Sequence, residues 1–535
     1  MKKAISVLLC MATVFTCVAC GSKDTKETRK KKKTKRTTET EESLDPSLTT
    51  DTSESETEET TTVPEPKNEF VISHDLTSEK IKSMRDTMMY TAVDTTKQDD
   101  GFPMQLSSVD VEYDVLTSEG GATKISSILN EYVWHTADAS SRIYEQELTK
   151  FKEKESAHEE LPNFWYDYDS RVIRSDSQIL SLGTTVSGYS SEDFIVTTTR
   201  YENYRSEDGS EIGFDDVILD KDAFVEYLDD YLVLINRDRN PVMSQITEGS
   251  FTFGMTYDGL IIGDDKLPVI GHEDIFDMSY FGSTPENYTL LIDRSFALKW
   301  DFNGDNQMDD LSLSVTMNQE GYAVDALHIS FCGKDYVFEA KDYEEMDYME
   351  ELDPYGGNCV MCIGGKYYLL VAMDSEGEDY ATYIFDINGD EPKFVEFFYS
   401  TAGNTLDPTD FTISLRTDIV GTVFMNYGYG LGTDGHLISL STMGKCNSGP
   451  YLSTMPLSGK NYDVTTGTMG EDNEVPAGEC VEVLGFDTKS GILVVRVHPS
   501  RDNLEPLTIA LETDKRSKIA GQDRDSAFIG LMYAD

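Results

Sequence analysis

Residues 174–218 read RSDSQILSLGTTVSGYSSEDFIVTTTRYENYRSEDGSEIGFDDVI, the clearest strand-and-turn pattern in the chain. Runs of Ile, Leu, Val, Thr and Tyr are broken at Ser, Gly and Asp, the pattern of strands joined by turns, with Asp208 and Gly209 at a hairpin turn. Residues 221–235, KDAFVEYLDDYLVLI, follow as a helix, and 250–265, SFTFGMTYDGLIIGDD, as another hairpin around Asp258 and Gly259. Toward the N-terminus, Ile125, Ile128, Leu129, Tyr132 and Val133, then Ile143, Tyr144, Glu147, Leu148 and Phe151, stand at helical spacing. They predict a long amphipathic helix with a break near Ser140. Residues 105–116, QLSSVDVEYDVL, alternate as a strand does, whereas 80–93, KIKSMRDTMMYTAV, are mixed. Helix, strands, helix, strands is an α+β order.

The RSDSQILSL strand from Arg174 to Leu182, the 197–218 hairpin ending in Phe214, Asp215 and Asp216, the AFVEYL helix, and FTFGMTYDGLIIG with the following His272–Phe281 segment carry a family likeness. Together they resemble the extracellular domain shared by lysozyme-sensing anti-sigma factors and the N-terminal part of some peptidoglycan deacetylases, the DUF4163 and DUF3298 types. The resemblance spans about 90–290. It implies recognition of an envelope ligand, a wall glycan or a wall-attacking protein such as lysozyme, with Asp215 or Asp216 matching the family's aspartate after the hairpin. No deacetylase module follows and no cytoplasmic anti-sigma segment precedes, so the expectation extends to neither catalysis nor sigma-factor release.

Residues 1–22, MKKAISVLLCMATVFTCVACGS, open with Lys2 and Lys3 and continue as an apolar run from Ala4 to Val18. The run is shorter than the ~20 residues that span a bilayer, so it reads as a secretory signal. Val18, Ala19, Cys20 and Gly21 resemble a bacterial lipobox, which implies cleavage after residue 19 and a diacylglycerol on Cys20. Cys17 departs from the leucine usual there, and cleavage elsewhere, releasing a soluble protein, is the alternative. Residues 20–68 then form a disordered charged tether without apolar periodicity, basic from Arg29 to Arg36 and acidic from Glu39 to Glu59. The basic half would lie against anionic head groups or wall polyanions, or the whole is a solvated spacer.

The net charge of -53 argues against a nucleic-acid partner. It favours cationic proteins or calcium instead. Residues 299–315, KWDFNGDNQMDDLSLSV, place Asp301, Asn303, Asp305 and Asp309 at positions one, three, five and nine of a loop, with Gln307 offering a backbone carbonyl at seven. Calcium takes such clustered hard oxygens. Ser312 stands where an EF-hand needs Glu. The loop resembles the calcium loops of integrin-type (FG-GAP) propeller repeats, with Asn306 in the usual glycine place; an Asx-rich turn without metal is the other reading. A second copy, YIFDINGDEPKFVEF, offers Asp386, Asn388 and Asp390 but has Phe394 at position nine, so no metal or weak binding is expected.

Strand patterns around these loops predict a β-meander or partial propeller. From 446 onward, short strands and the PAG turn near Val475 resemble a bacterial SH3-type barrel, either a cap on the preceding β region or a binder of wall peptides. Cys359 and Cys362, three apart in a strand pattern, point to opposite faces and read as structural rather than redox-active. No HExxH, GxSxG, P-loop or dinucleotide fingerprint occurs, and the 7 histidines are scattered.

The expected architecture is an α+β domain over 69–290, an all-β region (meander or partial propeller) with a calcium loop over 291–445, and a small C-terminal SH3-like β-barrel over 446–535. The expected role is a lipid-anchored, non-catalytic binding protein on the extracellular face of the membrane. Its ligand would be a cell-wall glycan or a wall-associated cationic protein. The alternative is an exported hydrolase of wall glycan.

Overall fold

The computed structural model describes residues 70–94, 105–119, 123–190, 194–353, 357–375, 380–401, 407–498 and 506–531. Cys20 and the tether therefore lie outside the described residues. The chain begins with β1 (Ile81–Asp94) and β2 (Gln105–Ser118), followed by α1 (Thr123–Ala157), β3 (Phe164–Ser175), β4 (Ile179–Ser190) and β5 (Phe194–Arg205). These strands form one sheet in sequence order. Only β2 and β3 run parallel, from Val109↔Phe164 to Tyr113↔Tyr168, and α1 is the crossover that a parallel pair requires. The mixed stretch at 80–93 is thus a strand.

Helix α1 runs unbroken, with Ser140 fully buried inside it rather than at a break. Its Ile125 and Leu129 pack on Leu116, Leu180 and Leu182. Its Phe151 packs on Val109, Val111 and Phe164. The Tyr132 hydroxyl donates to Ser170 Oγ at 2.8 Å, tying the middle of the helix to β3.

The RSDSQILSL stretch is the turn from β3 to β4. Arg174, with no exposed surface, donates to Asp176 (2.6 Å), the Tyr280 carbonyl (2.7 Å), the Thr256 carbonyl (3.3 Å) and Gln178 (3.1 Å). Asp176 in turn accepts from the backbone N–H of Gln178 and Ile179, closing the turn. A buried charge is tolerated only when paired and hydrogen-bonded, and this one also bonds the sheet to the segments around Thr256 and Tyr280.

Next come α2 (Phe214–Val217), α3 (Lys221–Leu234), α4 (Asn240–Glu248) and a three-stranded sheet of β6 (Gly254–Met255), β7 (Gly259–Ile262) and β8 (Asp265–Pro268). Asp220 caps α3 by accepting from the N–H of Asp222 and Ala223. Strand β9 (Tyr288–Leu291) is followed by a meander of β10 (Ala297–Trp300), β11 (Asp309–Met317), β12 (Val324–Phe331) and β13 (Lys334–Glu339). A larger sheet contains β14 (Glu351–Leu352), β15 (Cys359–Ile363), β16 (Lys366–Asp374), β17 (Tyr380–Asp386) and β18 (Lys393–Tyr399), in order β18-β17-β16-β15-β9 with β14 on β16. Because β9 pairs with β15, one hydrophobic core runs from Phe70 to Ile387 across the boundary expected at 290.

The remaining strands are β19 (Phe411–Thr417), β20 (Val423–Leu431), β21 (Leu437–Ser439), β22 (Met443–Ser453), β23 (Leu457–Asp463), β24 (Thr468–Val475), β25 (Cys480–Asp487), β26 (Ile492–His498), β27 (Leu507–Glu512) and the short β28 (Lys518–Ile519), β29 (Gln522–Asp523) and β30 (Phe528–Ile529). Most of them join in the order β19-β20-β22-β25-β26-β27-β23-β24. The strands from 446 onward thus extend an open sheet with β19 and β20, and among the described residues no sheet closes into a barrel. The SH3-like barrel expected over 446–535 is corrected to this extent. The cause is register: β22 keeps Asn426↔Lys445 on one side and Met443↔Asp487 on the other, so its first edge is taken by β20.

Candidate functional site

The predicted loop is the turn between β10 and β11, whose ends pair as Trp300↔Asp309. Asp301 is largely buried and its carboxylate accepts from the N–H of Gly304 (2.7 Å), Asp305 (3.2 Å) and Asn306 (2.8 Å). Asn303 accepts from Asp305 N–H, Asp305 from Gln307 N–H, and Asp309 from Phe302 N–H. Asn306 takes φ +63°, the left-handed conformation that short polar side chains tolerate. The predicted residues therefore share one tight turn of hard oxygen donors, chemically suited to calcium. As placed, those oxygens mostly hold the loop's own backbone. Among the described residues no group of three His, Cys, Asp or Glu has metal-ligating geometry. In the second copy Asn388 is spent differently, accepting from Tyr367 N–H and donating to the Tyr367 carbonyl as a strand residue would.

Among the described residues, Cys332, Cys359, Cys362, Cys446 and Cys480 are free. Cys359 packs in one hydrophobic cluster and Cys362 in another, on opposite faces of β15. Burial pushes the Cys359 thiol up to about 12 and the Cys362 thiol up to about 11, which suppresses the reactive thiolate. A cavity of about 40 Å³ lies beside β3, β8 and the turn after β9, with Arg171, Asp264, Asp265, Lys266, Asp293 and Arg294 among its lining. Its charges pair with one another or with neighbours, Arg171 with Asp264 (3.1 Å), Arg294 with Asp265 (3.4 Å) and Lys266 with Asp258 (2.5 Å), while Arg171 Nε has no hydrogen-bond partner. This is scaffold, holding β3 to the hairpin that RSDSQILSL also grips.

A surface that the sequence reading missed lies on β18, at the edge of its sheet. A bulge at Ile384/Phe385 sets Phe394 opposite Phe385, Phe397 opposite Tyr383 and Tyr399 opposite Ala381, so the three rings share one face. Their rings run on into the segment before β14: Tyr343 lies 5.0 Å from Phe394, and Phe397 lies 5.3 Å from Tyr399. Tyr399 is 52% exposed and Phe394 36%. Carboxylates border them, with the Tyr399 hydroxyl donating to Glu345 at 3.1 Å. Burial first, then Glu345, Asp347 and Glu344, hold the Tyr383 hydroxyl well above its usual range. Exposed rings beside acceptor oxygens can lie on the apolar face of a sugar or on a cation, while the carboxylates accept hydroxyl or ammonium protons. The signal available in the sequence was the aromatic run at 394–399; Phe394 counted only against a calcium turn.

No family model and no curated protein matches the chain. Among solved structures it is similar to a DUF3298-family protein from Bacteroides fragilis, at 12% identity and a TM-score of 0.25, over 37% of this chain and 95% of that one. It is also similar to a DUF3298-family protein from Pseudomonas aeruginosa, at 11% identity and a TM-score of 0.23, over 37% of this chain and 96% of the other.

Proposed function

We propose that the protein is anchored by lipid on Cys20 to the outer face of the cell membrane and binds a cell-wall ligand without turning it over. The observation that carries this reading is the exposed aromatic edge of β18 with its bordering carboxylates. Of the ionisable groups the fold buries, Arg174 is paired with Asp176 and Lys266 with Asp258. The 69–290 region acts as a DUF3298-like envelope-recognition domain, the strands from 291 form a meander braced by calcium at Asp301, Asn303, Asp305, Gln307 and Asp309, and the strands from 446 cap it. No helix among the described residues is long and apolar enough to cross a membrane.

Calorimetric titration with soluble peptidoglycan fragments tests the reading, with muropeptide products assayed in the same mixture. Saturable heat without new products is expected. Replacing Tyr399 by Ser should weaken binding by up to about tenfold, the loss of one ring contact. Product release that turns over would contradict the non-catalytic reading and favour the hydrolase. Absence of heat would exclude the glycan and leave a wall-associated cationic protein as the ligand.

A further inference from the structure

The first sheet has a polar face where a helix-backed sheet usually meets water. Val109 and Val111 face Phe151 of α1, so the alternating Asp110 and Glu112 point away from it. That second face is covered by the C-terminal sheet. Glu482 of β25 is almost fully buried and accepts from the Thr87 hydroxyl of β1 at 3.0 Å. Cys480, two residues earlier on β25, meets Thr91 Oγ1 at 2.9 Å and Met89 Sδ at 3.7 Å.

The charges enclosed there do not balance. From β1, Arg85 contacts Glu112 (3.0 Å) and Asp114 (3.1 Å) of β2, and Asp167 and Asp169 of β3. From β26, Arg496 and His498 each lie 3.1 Å from Glu482. Cys446 of β22 and Cys480 and Glu479 complete the titratable groups facing the cluster. Asp110 is 7% exposed, and its Oδ1 has no hydrogen-bond partner. Such an orphaned buried oxygen is costly as a carboxylate and is relieved when it carries a proton.

We propose that this interface is a proton-operated latch: shut while Asp110, Glu112 and Asp167 on the covered face of the first sheet hold protons, and opening as they ionise, so that this acidic face is uncovered. Each opening releases those protons to solvent. Burial, followed by the Glu112 and Glu482 carboxylates, pushes Asp110 well above the usual range. Burial against the pull of Arg85, with help from Glu112 and Asp169, pushes Asp167 up to about 7. An acid raised on folding carries no penalty below its unfolded value and the full penalty above its folded one. For Asp167 the latch therefore weakens from about pH 4 up to about 7. It is tightest in acid.

Cys446 and Cys480 lie in the interface, and Cys359 lies in a separate core, so alkylation of the full chain reads the latch directly. The measurement is the ratio of Cys480 to Cys359 labelling by iodoacetamide, from peptide masses, at about pH 5.5 and about pH 8. The ratio should rise by up to about tenfold for each pKa unit that separates shut and open forms within that window. In Asp110→Asn and, separately, Asp167→Asn, the rise should be smaller than in the parent. An unchanged ratio in the parent, or the same rise in the Asn variants that fold, overturns the proposal. The exposed Asp138→Asn serves as control and should behave as the parent; if it flattens the rise equally, the effect is general charge and the latch is again overturned.

Discussion

Arg174 is charged, fully enclosed and bonded on every side, so its value lies in what would be stranded without it. Arg174→Ala leaves Asp176 as a buried unpaired carboxylate and frees the Thr256 and Tyr280 carbonyls. The expected loss is about 3–5 kcal/mol of unfolding free energy in urea titration. Arg174→Lys should recover little of it, because a point-like ammonium cannot serve four acceptors in a fixed fork. In the Asp301 loop, Asp305→Ala removes an oxygen donor and one cap of the turn. If calcium binds there, added calcium raises the thermal midpoint of the parent and leaves the variant unmoved; equal shifts in both would remove the metal from this loop.

At the scale of elements, α1 stands on its apolar stripe. Phe151 is fully enclosed against Val109, Val111 and Phe164, and Phe151→Ala should cost about 3–5 kcal/mol by thermal denaturation. This helix was legible because its stripe is local, and α3 for the same reason. Ser140 misled because a small polar residue in a helix reads as an interruption, whereas here it is buried against the sheet side. The strands of 174–205 were legible from their alternation and turns. The latch was not, since Thr87 and Glu482 meet across almost the whole chain and a period-two polar face reads as wet. The aromatic edge was half legible: Phe394, Phe397 and Tyr399 are spaced unevenly, and only the bulge in β18 puts them on one face. Placing the calcium-like loop was straightforward because all its donors are local.

For the whole molecule, the net charge of -53 sets how it meets its surroundings. Long-range attraction of a cationic wall protein would weaken with added salt, because screening at ~0.15 M reaches only ~8 Å. Contacts through the β18 rings would persist, since they depend on close approach more than on field. The continuous core from Phe70 to Ile387 joins the 69–290 region to the sheet that carries β18, and Phe397 of the proposed recognition surface packs against it. The most direct test is co-sedimentation of the full chain with insoluble peptidoglycan, with and without calcium, beside the Tyr399→Ser variant. Retention of the parent and its loss in the variant is the predicted result. Parent and variant both remaining in the supernatant would contradict wall-glycan binding, and both sedimenting equally would take the edge of β18 out of it.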